Sequence, residues 1–282
     1  MNYRHAFHAG NHADVLKHLV LARVLAHLLA KPTAFRAIDV FAGLGIYDLS
    51  GDEAGRTGEW REGWGLLDDP FPDAVEALLA PYRAAVEATR ARFGETAYPG
   101  SPQIIREALR RGDRGVFVEL HPQDADVLSR RYNQDPLTKV MRFDGWTALN
   151  ALIPPPERRG LVLIDPPFEV TGEIERLGAL LLKAVAKWPT GVFLAWYPIK
   201  DHAGIAAMIE TLDRALTRPA LRLDLLIQHP DATAGLAGSG LVVVNPPWTL
   251  ADEAALFLPA LAERLARDDY GAFRCDAVGP QE

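Results

Sequence analysis

A single cysteine, Cys275, occurs in 282 residues. Disulfides within the chain are therefore excluded, and a cysteine-based zinc site lacks the thiols it needs. No apolar run is long enough to cross a bilayer, and the opening segment, rich in His and charge, has no signal-peptide core. A cytoplasmic protein without membrane contact is expected. There is no Gly-Lys-Ser/Thr phosphate loop, and Gly43 and Gly45 have no third glycine on the dinucleotide spacing, which counts against ATP and NAD. Acidic residues outnumber basic ones, 37 to 30. The net charge of −7 argues weakly against nucleic acid, whose phosphates need a basic surface. The cations are unevenly placed, however. From Met1 to Arg36, Arg4, Lys17, Arg23, Lys31 and Arg36 face only Asp14, with five histidines alongside. More arginines gather at Arg106, Arg110, Arg111, Arg114, Arg158 and Arg159, so one basic face on an acidic protein is compatible with this sequence.

What is present is organised around Leu161-Val162-Leu163-Ile164-Asp165-Pro166-Pro167-Phe168. Four β-prone apolar residues in a row read as a strand buried on both faces, in the middle of a parallel sheet. The two prolines give the sheet no N–H and force the chain out as a stiff loop. Asp165 thus lies at a strand's carboxyl end, where open α/β sheets bind ligands. An acid, a rigid carbonyl-bearing turn and the aromatic Phe168 can together grip a flat ring with an exocyclic amine. The plainer alternative is a strand that merely stops at Pro-Pro.

The rest of the chain alternates in the α/β manner. Val15 to Leu28 repeat at helical spacing behind Asn11, a plausible N-cap. His5, His8 and His12 are read as polar contacts to a ligand or to backbone rather than as metal ligands, since such ligand sets usually need a carboxylate or thiol partner and a strict geometry. Ala37 to Gly45 is a strand running into a glycine turn, where Gly43 lets the backbone approach a ligand. The rhythm then breaks. Residues 51–100, with Trp60, Trp64 and a helix over Pro72 to Phe93, read as an inserted helical subdomain between 1–50 and 101–282. The tryptophans there are assigned to packing. Ser101 is read as the N-cap of a short helix, with Pro102 at its first position. Gly115 to Pro122 is a strand ending near Glu119, the place of an acid that accepts from ribose hydroxyls in nucleotide-type folds. A third strand ends in Asp144-Gly145. After the central strand come helix 173–188, strand 191–198, helix 203–216, strand 221–229, strand 241–244 and a last helix over 252–267.

Asn245-Pro246-Pro247-Trp248 repeats the pattern of the central box. Its strand follows the preceding one through a loop too short for a crossover helix, so it should pair antiparallel. Its end would then point away from Gly43 and Glu119. Asn245 is accordingly assigned to a structural turn.

Asp39-x-Phe41-x-Gly43-x-Gly45, Glu119, Asp144-Gly145 and Asp165-Pro166-Pro167-Phe168 together resemble the Rossmann-like S-adenosylmethionine-dependent amino-methyltransferases. Three further segments narrow the match: the run from Tyr3 to His18, Tyr98-Pro99-Gly100-Ser101-Pro102, and Glu119-Leu120-His121-Pro122. With these the whole chain is similar to the RlmJ family of bacterial 23S ribosomal RNA adenine-N6 methyltransferases. The resemblance implies a seven-stranded, mostly parallel sheet with its last strand antiparallel and a helical insertion after the first strand. It implies S-adenosyl-L-methionine as cofactor, contacted by His18, Phe41, Gly43, Ser101, Glu119, Asp144, Gly145 and Asp165. It places catalysis on Asp165 and Pro166 with Phe168 stacking on the base, and substrate contacts on Tyr3, Lys17 and Phe168. The implied partner is 23S rRNA, protein-free or early in assembly, bound by a monomer without metal. Two positions depart from the family. Phe41 stands where several members carry His, and Phe168 where Tyr is usual, which keeps the stacking face and drops the hydroxyl. A DNA adenine-N6 methyltransferase, or a non-catalytic nucleic-acid-binding protein of DNA uptake or utilisation, are the competing readings.

Overall fold

The computed structural model describes residues 4–230, 236–267 and 269–280. Helix α1 (His12–Leu29) starts where the Asn11 side chain accepts from the amides of Ala13 and Asp14. Most of its residues are buried on every side, as befits a helix enclosed by other elements. Strand β1 (Arg36–Asp39) follows. A two-stranded antiparallel ribbon of β2 (Ile46–Asp48) and β3 (Ala97–Pro99) brackets the next segment. Between them lie α2 (Asp52–Thr57), two 3-10 turns and the long α3 (Asp73–Phe93). This segment has no core of its own, because Trp64, Leu79 and Tyr82 pack into the same apolar cluster as α1.

Helix α4 (Ser101–Ala108), β4 (Arg114–Glu119), α5 (Pro122–Tyr132), β5 (Thr138–Arg142) and α6 (Gly145–Leu152) come next. Then follow β6 (Gly160–Ile164), α7 (Glu173–Lys187), β7 (Val192–Pro198), α8 (His202–Ala215), β8 (Ala220–Leu226), β9 (Gly238–Val244), α9 (Leu250–Arg264) and β10 (Ala272–Val278). The main sheet runs β5-β4-β1-β6-β7-β9-β8-β10. Its first five strands are parallel, whereas β9 is antiparallel to both β7 and β8. Helices cover both faces: α1, α3, α4 and α9 on one, α6, α7 and α8 on the other. The chain leaves β1 toward β4 on one side and returns to β6 on the other. That reversal opens a crevice at the carboxyl ends of β1 and β6.

Two expectations need correction. The sheet has eight strands rather than seven, because β10 pairs antiparallel along β8 and covers what would be an exposed edge. Its sequence, Ala-Phe-Arg-Cys-Asp-Ala-Val, is mostly solvent-facing, so no apolar alternation announced it. Ser101 is not an N-cap. Gly100 holds that position, and Ser101 opens the helix with its hydroxyl turned elsewhere. The antiparallel reading of β9 is correct. Asn245 ends that strand in the left-handed region (φ 51°) and donates its side-chain amide to the carbonyls of Pro189 and Gly191, at the edge of the sheet away from Gly43 and Glu119.

Candidate active site

Asp165 leaves β6, whose five residues are all buried, and stands at the crevice. Two cavities meet there. The first, about 320 Å3, is lined by His18, Phe41, Gly43, Ser101, Glu119, Asp144, Trp146 and Asp165, among others. The second, about 500 Å3, is lined by His12, Asp165, Pro166, Phe168, Trp196 and Arg267, among others. His5, Lys17, Asp165 and Pro167 line both. The Asp-Pro-Pro-Phe turn is therefore a partition between two spaces.

The first cavity is built by the ends of β1, β4 and β5. Gly43 is left-handed (φ 61°), and a Cβ there would fall 2.4 Å from the Tyr47 hydroxyl, so only glycine lets the backbone pass. The Gly43 amide donates to Glu119 Oε2 (2.8 Å), and the His121 amide to Oε1 (2.7 Å). Each oxygen keeps acceptor capacity for a hydroxyl. Burial raises the Glu119 carboxyl above its ordinary range, against three amide hydrogen bonds that lower it. Asp144 caps α6, taking the Trp146 amide and the Thr147 hydroxyl. The Phe41 ring meets Trp146 edge-on at 5.3 Å, an apolar wall in place of an imidazole. A Cβ on Gly145 would lie 2.0 Å from the Val40 carbonyl, so that residue serves close packing against β1. Asp39 is fully buried. It accepts from the Ser101 hydroxyl (2.6 Å) and the Phe41 amide (3.1 Å), and burial pushes its carboxyl up to about 6.

Beneath the partition runs a buried chain of charges. Lys17 Nζ lies 2.6 Å from Asp165 Oδ2 and 2.8 Å from Asp14 Oδ1. Asp14 Oδ2 also meets His5 Nε2 (3.0 Å) and accepts from the Gly10 amide (2.8 Å). Burial opposes both charges, yet His5 and Lys17 hold Asp14 well below the usual carboxylate range. Asp14 and Asp165 likewise outweigh burial at Lys17 and hold its ammonium well above the usual value. His18 faces the first cavity with Nδ1 on the Tyr98 hydroxyl (3.1 Å), itself 2.5 Å from that of Tyr82. Burial brings His18 down to about 3, so it is neutral, and its buried Nε2 lies 3.6 Å from Asp14 Oδ1.

On the other side, Phe168 adopts a left-handed backbone (φ 51°). For an L-aromatic this costs about 1–2 kcal/mol, and such strain is commonly kept where function needs it. Its ring sits 5.7 Å from that of Trp196, which gives the second cavity two aromatic faces. The structure thus gathers His18, Phe41, Gly43, Ser101, Glu119 and Asp144 around one cavity, and Lys17, Asp165, Pro166 and Phe168 around the partition or beyond it. Gly145 supports the first cavity from behind. Tyr3 lies outside the described residues. His5 and Asp14 were not singled out by sequence reasoning as site residues, and Trp196 was read only as part of a strand. A polar pair at the start of a helix has no signal without its third member, Asp165. His8 pairs with Glu59 (2.9 Å) and His12 is buried near Arg267, and no group of three metal-ligating side chains was found among the described residues. No described helix is long and apolar enough to cross a membrane.

A family model described as "Ribosomal RNA large subunit methyltransferase D, RlmJ" matches residues 32–278. The chain belongs to this family. The ribosomal RNA large subunit methyltransferases J of Escherichia coli (strain K12) and Haemophilus influenzae are 36% and 34% identical to it, each over the full length of both chains. A crystal structure of a Legionella pneumophila protein superposes with a TM-score of 0.85 at 30% identity, covering 96% of this chain and 98% of that one. As a member of the RlmJ family, the chain has its cavities and Asp-Pro-Pro-Phe turn in a methyltransferase, which sets aside the non-catalytic reading.

Proposed function

We propose that this chain methylates the exocyclic N6 amine of an adenine in large-subunit ribosomal RNA, with S-adenosyl-L-methionine held in the first cavity and the target base in the second. The observation behind this reading is that Asp165, Pro167 and Lys17 are shared by two cavities of different lining. The residues of the first fit the cofactor. Glu119 offers lone pairs to ribose hydroxyls, Asp144 to an adenine amine, and Phe41 and Trp146 an apolar wall. Gly43 leaves room where a side chain would clash. When bound, S-adenosyl-L-methionine supplies an electrophilic methyl group on a sulfonium.

The chain's own residues prepare the amine, a poor nucleophile because its lone pair is delocalised into the ring. Asp165 and the Pro166 carbonyl each accept one of its N–H groups, which orients the nitrogen and steadies the positive charge developing there. Lys17 fixes Asp165 Oδ2, so Oδ1 is the oxygen left for the amine. Asp165 is thus an acceptor that positions the amine, and the proton leaves afterwards. Phe168 stacks on the base, with Trp196 behind it, after the adenine has been drawn out of the RNA. The RNA is protein-free or in early assembly, the enzyme acts as a monomer, and the reaction takes place in the cytoplasm. The test is to incubate the protein and labelled cofactor with protein-free large-subunit rRNA, assembled subunits and duplex DNA, then map the modified base. Label confined to N6 of one rRNA adenine is expected. Label on duplex DNA, or on another atom, would overturn the assignment.

A further inference from the structure

The second cavity has a wall that the amine chemistry leaves unused. His12 is 3% exposed, lines the cavity, and its buried Nε2 has no hydrogen-bond partner. Burial first, and Arg267 second, hold its imidazole down at about 4, against opposing pulls from Glu59 and Asp14. It is therefore a neutral polar group. Arg267 lines the same wall. One of its terminal nitrogens pairs with Glu62, while its buried Nε has no partner. Lys200, exposed just after β7, is the third member. A buried polar atom without a partner carries a desolvation penalty, which a bound ligand would remove.

Placement says which ligand. Along the sheet the order is β6, β7, β9, β8. Asp165 follows β6, Lys200 follows β7, and the Arg267 amide donates to the carbonyl of Ile227, just past β8. Three strand spacings, about 14 Å, separate the backbone at Asp165 from that at Arg267, with Lys200 one spacing from Asp165. A nucleotide has the matching polarity: an amine that donates at one end, an anionic phosphate and hydroxylated sugar at the other.

We infer that Arg267, Lys200 and His12 form a subsite for the sugar–phosphate of the target nucleotide. The inference rests on the reading of the second cavity as the substrate side, and the experiment separates the two. Protein saturated with S-adenosylhomocysteine, which blocks the first cavity, is titrated calorimetrically with adenosine and with adenosine 5′-monophosphate. The monophosphate should bind about tenfold tighter, the scale of one charge-assisted hydrogen bond. Arg267→Gln should abolish that preference, whereas Arg267→Lys should keep part of it. A preference that survives in Arg267→Gln with an unaltered melting curve would overturn the subsite, as would equal wild-type affinities. Should Arg267→Gln not fold, a preference reduced in a folded Arg267→Lys supports the contact, and one fully retained refutes it. Failure of both ligands to bind the wild type would sink the substrate reading as well.

Discussion

Lys17→Met isolates the buried charge chain that holds the partition. In the wild type one ammonium sits between Asp14 (2.8 Å) and Asp165 (2.6 Å), and Asp14 is fully buried. The substitution keeps most of the side chain's length and leaves two carboxylates with one positive charge fewer. Breaking a buried ion pair from one side costs about 3–5 kcal/mol. For a chain of this size each kcal/mol corresponds to roughly 2 °C, so the melting temperature should fall by about 6–10 °C. Asp14→Asn/Lys17→Met removes a charge from each side and should recover at least half of the loss. The pH dependence has a definite sign. The depressed Asp14 stabilises the fold above its ordinary 3.8 and ceases to as pH falls through its lowered value. The raised Lys17 stabilises below its ordinary 10.5 and ceases to as pH rises through its elevated value. The deficit of Lys17→Met should therefore be flat through the neutral range and shrink toward either extreme. Urea unfolding of the three proteins across pH measures this. A single variant within about 1 kcal/mol of wild type, or a double variant no better than the single, would refute the reasoning.

Asp39 behaves in the opposite sense. A rise from 3.8 to about 6 means that its burial costs stability once pH exceeds the unfolded value, fully so above about 6. Wild type relative to Asp39→Asn should therefore lose about 3 kcal/mol between pH 3.5 and 7, read from paired unfolding curves. Gly43→Ala should weaken S-adenosyl-L-methionine binding at least tenfold by calorimetry, since its Cβ would press on the Tyr47 hydroxyl and a left-handed Ala is strained. Asn245→Ala should cost about 1–2 kcal/mol through the two lost carbonyl contacts and the left-handed backbone, with methyl transfer unchanged at temperatures where the variant is folded.

The α/β alternation was legible because each parallel strand is a short apolar run closed by a turn, an acid or glycines. The central strand, buried at every position, and the antiparallel course of the strand before Asn245 followed from such local rules. Strand β10 did not, since a polar edge strand is stabilised by its neighbour β8 rather than by an apolar pattern. Ser101 was misread because Ser before Pro is a common cap, while here a buried Asp39 draws its hydroxyl away. Residues at strand ends, Asp165 and Glu119 among them, were legible as site candidates from their position alone. The His5–Asp14–Lys17 chain was not. Its meaning depends on a contact between residues 148 positions apart, which only the packing of α1 beside β6 creates.

The most direct measurement is a crystal structure of the protein with S-adenosyl-L-methionine and adenosine together. The account predicts the cofactor between Gly43, Glu119 and Asp144, the adenosine against Phe168, and the amine within hydrogen-bond reach of Asp165 and the Pro166 carbonyl. A cofactor lodged on the Phe168 side, or an Asp165 turned away from both ligands, would contradict it.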